Sequence, residues 1–242
     1  MSLRVALSPA GLDPGTLDRQ AVLMIDVFRA STTIVTALAN GARAVIPVAD
    51  KGEAGRLAAT LDRDMSVMAG ERGGQQLAGF ALGNSPRSFT PEVVRGRTVV
   101  LTTTNGTAAL VKARGAERLA VGALANATAA TAFLAQALDD GLDVTLLCAG
   151  WEGHVVLEDT LCAGLFVDRL ASHPRATPTD DGARIASSLY RGAQADLARV
   201  LFVADHSKRL IEVGAGDDLS DCARIDVSDV LPVLRDSRIV AA

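Results

Sequence analysis

Aromatic residues are scarce in this 242-residue chain, only 3% of it. That excludes a core built on stacked rings and leaves Ala, Val and Leu to fill the interior, a palette suited to helices packed on a parallel sheet. There are three cysteines, Cys148, Cys162 and Cys222. An odd number without paired spacing argues against a disulfide framework or a structural zinc centre, and for reduced thiols in a cytoplasmic protein. The three histidines, His154, His173 and His206, are too scattered for a His-rich metal cage. No apolar run approaches the ~20 residues of a membrane span, and the opening MSLRVALSPA has no apolar signal core. No Lys/Arg run appears and the formal charge is −4, so nucleic acid finds no basic face.

What is present is a globular profile: 49% apolar and 21% charged residues, in a chain long enough to bury a substantial core. Short apolar runs alternate with alanine-rich segments of helical period from about residue 20 to 172. AVLMID, AVIPVA, MSVMAG, TVVLTTT, RLAVGAL and DVTLLCAG read as strands. ASTTIVTALANG, KGEAGRLAATLD, GTAALVKARG, ATAATAFLAQALDDG and LEDTLCAGLFVDRLAS read as helices. This alternation predicts an α/β fold, three layers α/β/α, around a mainly parallel sheet. Residues 176–214 change character, with three helical segments in succession, and a β-like signal returns near Arg224 to Val227. No repeat, linker or boundary interrupts the chain, so residues 1–242 are expected to form one domain with a helical insertion.

In an open α/β sheet, ligands bind beyond the carboxyl ends of the strands. Four polar clusters directly follow predicted strands and are expected to share one rim. In IDVFRAST, Asp26 closes a strand, Arg29 lies in the loop, and Ser31 or Thr32 would cap the next helix, whose free N–H groups and dipole favour an anion. The bland alternative, an Asp26–Arg29 ion pair beside an ordinary cap, explains this segment as well. In LTTTNGT, the residues Thr104, Asn105, Gly106 and Thr107 suit a backbone cradle for an anion. A hairpin at Asn-Gly is disfavoured by the helix-forming AALVK that follows. GWEGH places Glu152 and His154 after a strand, and Glu158 and Asp159 open a helix, where acidic residues also suit the dipole. Glu71 and Arg72 follow the third strand in a loop, where an exposed pair is the default. Arg87 lies in the irregular stretch ALGNSPRSF, and long irregular loops in compact domains tend to be functional. Carboxylates with few histidines suit Mg²⁺ rather than zinc.

Taken together, the motifs IDVFRASTTIVTALANGA, AGERGG, LGNSP, LTTTNGT and CAGWEGHVVLEDTLCAG resemble the signatures of the 2-phosphosulfolactate phosphatase family, in fixed order from about Met24 to Gly164. ADHSKRL and CARIDVSDVLPVL match more loosely. The resemblance implies a distinctive α/β/α fold and a Mg²⁺-dependent acid phosphatase that converts (2R)-phospho-3-sulfolactate to 3-sulfolactate, a step towards coenzyme M. Such a substrate carries phosphate, sulfonate and carboxylate, so the site must supply cations and N–H donors. On this reading Asp26, Glu71, Glu158 and Asp159 are the candidate metal ligands, and Asp26, Arg29, Glu152 and His154 the candidate catalytic groups. Ser31, Thr32, Arg72, Arg87, Thr104, Asn105, Gly106 and Thr107 are the candidate substrate-binding residues. Direct attack by water is favoured over an aspartyl phosphate on Asp26, because the second aspartate of the haloacid-dehalogenase pattern is replaced by Phe28. The competing readings are a non-catalytic anion-binding module, a phosphatase of another phosphorylated hydroxy acid, and a nicotinamide-dependent dehydrogenase. The missing G-x-G-x-x-G weighs against the last. A homodimer is the default expectation for the assembly.

Overall fold

In the computed structural model, residues 1–62 and 64–242 are described. The order begins with β1 (Ser2–Ala6), β2 (Gln20–Ile25), α1 (Ala30–Ala39), β3 (Ala44–Pro47), α2 (Lys51–Ala58), β4 (Ser66–Arg72) and β5 (Gln75–Gln76). It continues with α3 (Pro91–Val94), β6 (Thr98–Thr102), α4 (Gly106–Lys112), β7 (Arg118–Gly122), α5 (Ala127–Asp139), β8 (Asp143–Cys148) and α6 (Leu157–Arg169). The last third holds β9 (Thr177–Pro178), α7 (Asp181–Ala193), α8 (Leu197–Phe202), α9 (Asp205–Glu212), α10 (Asp218–Cys222), β10 (Pro232–Arg235) and β11 (Arg238–Ala241). The expected alternation and the helical run after residue 180 are both present.

Among the described residues, eleven strands form one mixed, mostly parallel sheet, in the order β5-β4-β6-β3-β11-β10-β7-β2-β8-β1-β9. Strand β2 shows why the fold has three layers. Its six residues QAVLMI are all buried. Successive side chains on a strand point to opposite faces, and here Leu23 and Ile25 pack with Leu134, Leu138 and Leu161 of α5 and α6. Val22 and Met24 join Ile34, Ala37 and Leu110 of α1 and α4 on the other face. A strand covered on both sides reads as a continuous apolar run.

Two features depart from expectation. The segment Arg224 to Val227 is a loop, not a strand. Asp226 takes a left-handed conformation at φ +54, and its carboxylate accepts from Thr128 N at 2.5 Å and Arg169 Nη2 at 2.7 Å, pinning the loop to the start of α5. The strand signal belongs to β10 and β11, joined by a turn at Asp236 and Ser237, both with positive φ, as a tight hairpin requires. That hairpin sits in the middle of the sheet. Strand β1, hidden in an opening that reads only as polar-interrupted sequence, pairs in parallel with β8.

The pairings β3–β11, β11–β10 and β10–β7 are all antiparallel. The parallel block β4-β6-β3 therefore runs opposite to the block β7-β2-β8-β1. A flat sheet would put the carboxyl ends of the two blocks on opposite edges. Five pairings separate β2 from β6, and a twist of roughly 20–25° at each leaves the blocks crossing steeply. The segments that follow β2, β4, β6 and β8 meet around one cavity.

Candidate active site

The cavity encloses about 390 Å³, counting the space open to solvent. Its wall includes Asp26 and Arg29 after β2, Glu71 at the end of β4 with Gly73 and Gly74 just beyond it, Thr104 and Asn105 after β6, and Trp151 after β8. Glu71 and Arg72, expected in a loop, are the last residues of β4 and pair with β5. Asn84, His206 and Arg209 complete its polar lining.

Asp26 ends β2 inside the protein. Its Oδ1 accepts from Ala30 N at 3.2 Å, its backbone N donates to Ser31 Oγ at 2.8 Å, and its carbonyl accepts from Ser31 N at 2.8 Å. Asp26 itself thus serves the first turn of α1, where Ser31 or Thr32 was expected as the cap. Ser31 and Thr32 are buried and bound to the chain, Thr32 through Oγ1 to Val27 O at 3.1 Å. The peptide bond between Phe28 and Arg29 is cis. Asp26 Oδ2 makes no hydrogen bond among the described residues, and it lies where only glycine can face it. A Cβ on Gly106 would stand 2.6 Å from this oxygen and 2.7 Å from Ala30 Cβ. Burial lifts the Asp26 carboxyl to a pKa of about 6, with His206 and the Ala30 N–H lowering it and the Glu71 and Glu158 charges raising it.

The other carboxylates divide by partner. Asp159 is a clamp: Oδ1 accepts from Val27 N at 2.8 Å and Oδ2 from Gly150 N at 3.0 Å, tying the loops after β2 and β8 together. Its carboxyl is pushed well above the usual range by burial first, then by the charges of Asp26 and Glu158. Glu71 is likewise filled, accepting from Thr104 N at 2.7 Å, Gly74 N at 2.8 Å and Thr104 Oγ1 at 3.2 Å. Glu158 is different. Its Oε1 lies 2.7 Å from His206 Nδ1, and its Oε2 is buried with no partner among the described residues. A carboxylate oxygen orphaned in this way carries a full desolvation cost unless something meets it.

His206 is fixed on three sides. Glu158 holds Nδ1, the Trp151 ring stacks on it at 5.3 Å between centroids and 1° between planes, and Phe28 meets it edge-on at 6.2 Å. The sequence had offered His154 for a proton-transfer role. In the structure His154 and Glu152 stand in an exposed turn closed by paired Trp151 and His154 backbone bonds of 3.0 and 2.9 Å, and neither lines the cavity. Glu152 N donates to Asn105 Oδ1 at 3.0 Å, which holds the turn against the β6 loop.

The arginines also sort by partner. Arg29 Nη1 meets Asp218 Oδ2 at 2.7 Å, with the side chains 5% and 4% exposed, and Nη2 donates to Gly74 O at 2.9 Å. Arg72 turns aside to Glu71 O, Ala49 O and Thr102 Oγ1. Arg87 is held outside by Asp221 and Asp217 of the α10 region, at 2.5 and 3.5 Å. Thr107 caps α4 from within, exchanging bonds with Thr103. Of the predicted site residues, the cavity wall gathers Asp26, Arg29, Glu71, Thr104 and Asn105. Gly106 and the Glu158–Asp159 pair stand directly behind it. Sequence reasoning missed His206 and Arg209, both in the ADHSKRL motif, whereas Asn84 lies in the irregular ALGNSPRSF stretch that the sequence marks as functional.

Among the described residues no three His, Cys, Asp or Glu side chains are disposed as a metal cage. The two carboxylate oxygens left without protein donors, Asp26 Oδ2 and Glu158 Oε2, suit instead a hard cation that completes its shell with ligand oxygens and water, as Mg²⁺ does.

Fold and cavity define a class: an α/β/α protein whose sheet carries a small, charged, carboxylate- and arginine-lined ligand site. A sequence model of the 2-phosphosulpholactate phosphatase family matches residues 7–237. A probable 2-phosphosulfolactate phosphatase of Caldanaerobacter subterraneus subsp. tengcongensis is 37% identical over 219 residues, covering 90% of this chain and 89% of that one. One from Symbiobacterium thermophilum is 38% identical over 221 residues, with 91% and 94% covered, and one from a Picosynechococcus species is 39% identical over 242 residues, with 100% and 99% covered. The chain belongs to the 2-phosphosulpholactate phosphatase family.

Proposed function

We propose that this protein hydrolyses (2R)-phospho-3-sulfolactate to 3-sulfolactate and phosphate with Mg²⁺ as cofactor. The observation that carries the proposal is the juxtaposition of Asp26 in the cavity wall, with one carboxylate oxygen short of donors, and a histidine in the same wall that is held rigidly by Trp151 and by Glu158, whose own second oxygen is buried without a partner behind that wall. Asp26 and Glu158 are the residues we assign to the cation, with Glu71 and Asp159 holding the loops that present them. When bound, Mg²⁺ would neutralise phosphoryl oxygens and so lower the repulsion that a nucleophile meets.

The remaining work falls to this chain's own groups. Phosphoryl transfer passes through a loose transition state that asks little of a base and much of positioning. Water adds to phosphorus as the bond to the ester oxygen breaks. That oxygen belongs to a secondary alcohol and leaves poorly as an alkoxide, so it needs a proton. His206, with Nδ1 donating to Glu158, presents Nε2 as the acid, and the proton lost by the water goes to the released phosphate.

On this reading the product is the sulfonated hydroxy acid that the family likeness links to coenzyme M, and three buried, unpaired thiols favour a reducing cytoplasm. No helix among the described residues is long and apolar enough to cross a membrane. The test is phosphate release from phosphosulfolactate and a panel of phosphorylated hydroxy acids, with Mg²⁺ and with EDTA. Release that depends on Mg²⁺ and is fastest for phosphosulfolactate is expected. Binding without release would make the protein an anion-binding module instead.

A further inference from the structure

We infer that Arg209, on α9, selects phosphate esters that carry an additional acid group on the carbon next to the ester. The inference rests on the phosphatase reading and names a determinant within that same site.

Two guanidinium groups line the cavity among the described residues, Arg29 and Arg209. Arg29 is already compensated. Asp218 pairs with it in the interior at 2.7 Å, and Ser85 Oγ donates to the other Asp218 oxygen at 2.6 Å, so the carboxylate is locked onto it. Arg209 is not compensated in that way. Its closest carboxylate is Glu212 on the next helical turn, at 3.4 Å, with the side chains 41% and 67% exposed, a surface pair that offers little competition. Its Nη2 reaches Gly73 O only at 3.5 Å. A planar fork of donors with weak partners is well suited to a carboxylate or sulfonate.

Position supports the same assignment. His206 and Arg209 are three residues apart on one helix, the spacing that puts two side chains on the same face, and both line the cavity. Leu210 and Ser207, both buried, hold the helix down. In a 2-phospho acid the extra acid group is bonded to the carbon that bears the ester oxygen. Whatever protonates that oxygen must therefore have a cation one side-chain width away, and α9 supplies both. The need is electrostatic as well. Asp26 and Glu71 line the cavity and Glu158 lies buried behind it, and an extra negative charge on the ligand would be repelled unless an uncompensated cation met it.

The experiment uses the full chain and three secondary esters of increasing charge: isopropyl phosphate, 2-phospholactate and phospho-3-sulfolactate. The wild type should prefer them in ascending order. Arg209→Ala should lower kcat/KM for 2-phospholactate about 10–100-fold, chiefly through KM, the loss of one charge-assisted contact. Isopropyl phosphate should change less than about threefold, and Arg209→Lys should fall between. An equal loss on all three esters, or an unchanged preference, overturns the assignment while leaving the phosphatase standing. Calorimetry with 2-phospholactate separates the other case. No turnover of any ester by the wild type, with binding still weakened in Arg209→Ala, overturns the phosphatase reading and keeps the assignment. Loss of neither turnover nor binding in that variant also overturns it.

Discussion

Residue by residue, the site is a sorting of charges by partner. The carboxylates after β2 and β8 and at the end of β4 were legible as polar residues that follow apolar runs, because the end of a strand is written in its pattern. Their partners were not. Arg72 and Arg87 look like anion binders in sequence, yet Thr102 and Asp221 hold them elsewhere, since a charge declares its sign but not where its neighbours fold to. His206 stayed hidden for the same reason. Replacing His206 with alanine should slow alkyl phosphates by about 10²–10⁴-fold and p-nitrophenyl phosphate far less, because its phenolate leaves without a proton. Equal losses on both would deny His206 the acid's role. Asp26 gives a second test, through stability. Its folded-state pKa of about 6 lies above the usual 3.8, so the fold holds the proton more tightly than the unfolded chain does. That contribution is complete below about pH 4 and disappears as pH rises through 6, a loss of about 3 kcal/mol for two pKa units. With metal chelated, Asp26→Asn should therefore unfold later than the wild type at pH 8 and show no advantage at pH 4. An advantage that is independent of pH would refute the raised pKa.

At the scale of elements, the helices after residue 180 deliver the site's second half. Helix α9 brings His206 and Arg209 over the cavity, but only because α7 and α8 lead it there, and α7 packs on α6 at one close crossing. Gly164 makes that crossing possible: any Cβ there would collide with the carbonyl oxygen of Ala186. Gly164→Ala should cost about 1–3 kcal/mol, read by denaturant unfolding, and should lower turnover even though the residue is remote from the cavity. Wild-type stability in that variant would mean that α7 can slide without consequence. The helical insertion itself was readable from the three consecutive amphipathic segments. Where it docks was not, because periodicity marks the face that is buried and leaves open what buries it. The same limit explains the hairpin: its strands are short and flanked by charge, and nothing local announces that they fill a central gap rather than an edge.

For the whole molecule, that hairpin is what joins two oppositely directed parallel blocks. Asp26, Trp151 and Glu158 belong to one block, Glu71 and Thr104 to the other, and β10 and β11 complete the hydrogen-bonded ladder between them. Ile239 is fully buried against Val45, and Val233 pairs with Ala120. A chain ending at Asp229 would leave β3 and β7 with unpaired inner edges, which are prone to aggregate. It should lose cooperative unfolding and turnover together. A truncated protein that melts sharply and hydrolyses normally would show that the blocks hold each other unaided. If the loss occurs, the vacancy is strand-shaped and has a known occupant, so a synthetic peptide of residues 230–242 supplied in trans should insert and pair on both sides. Phosphate release would then report on the peptide's presence, and the junction of the two blocks would work as a complementation sensor with an enzymatic readout.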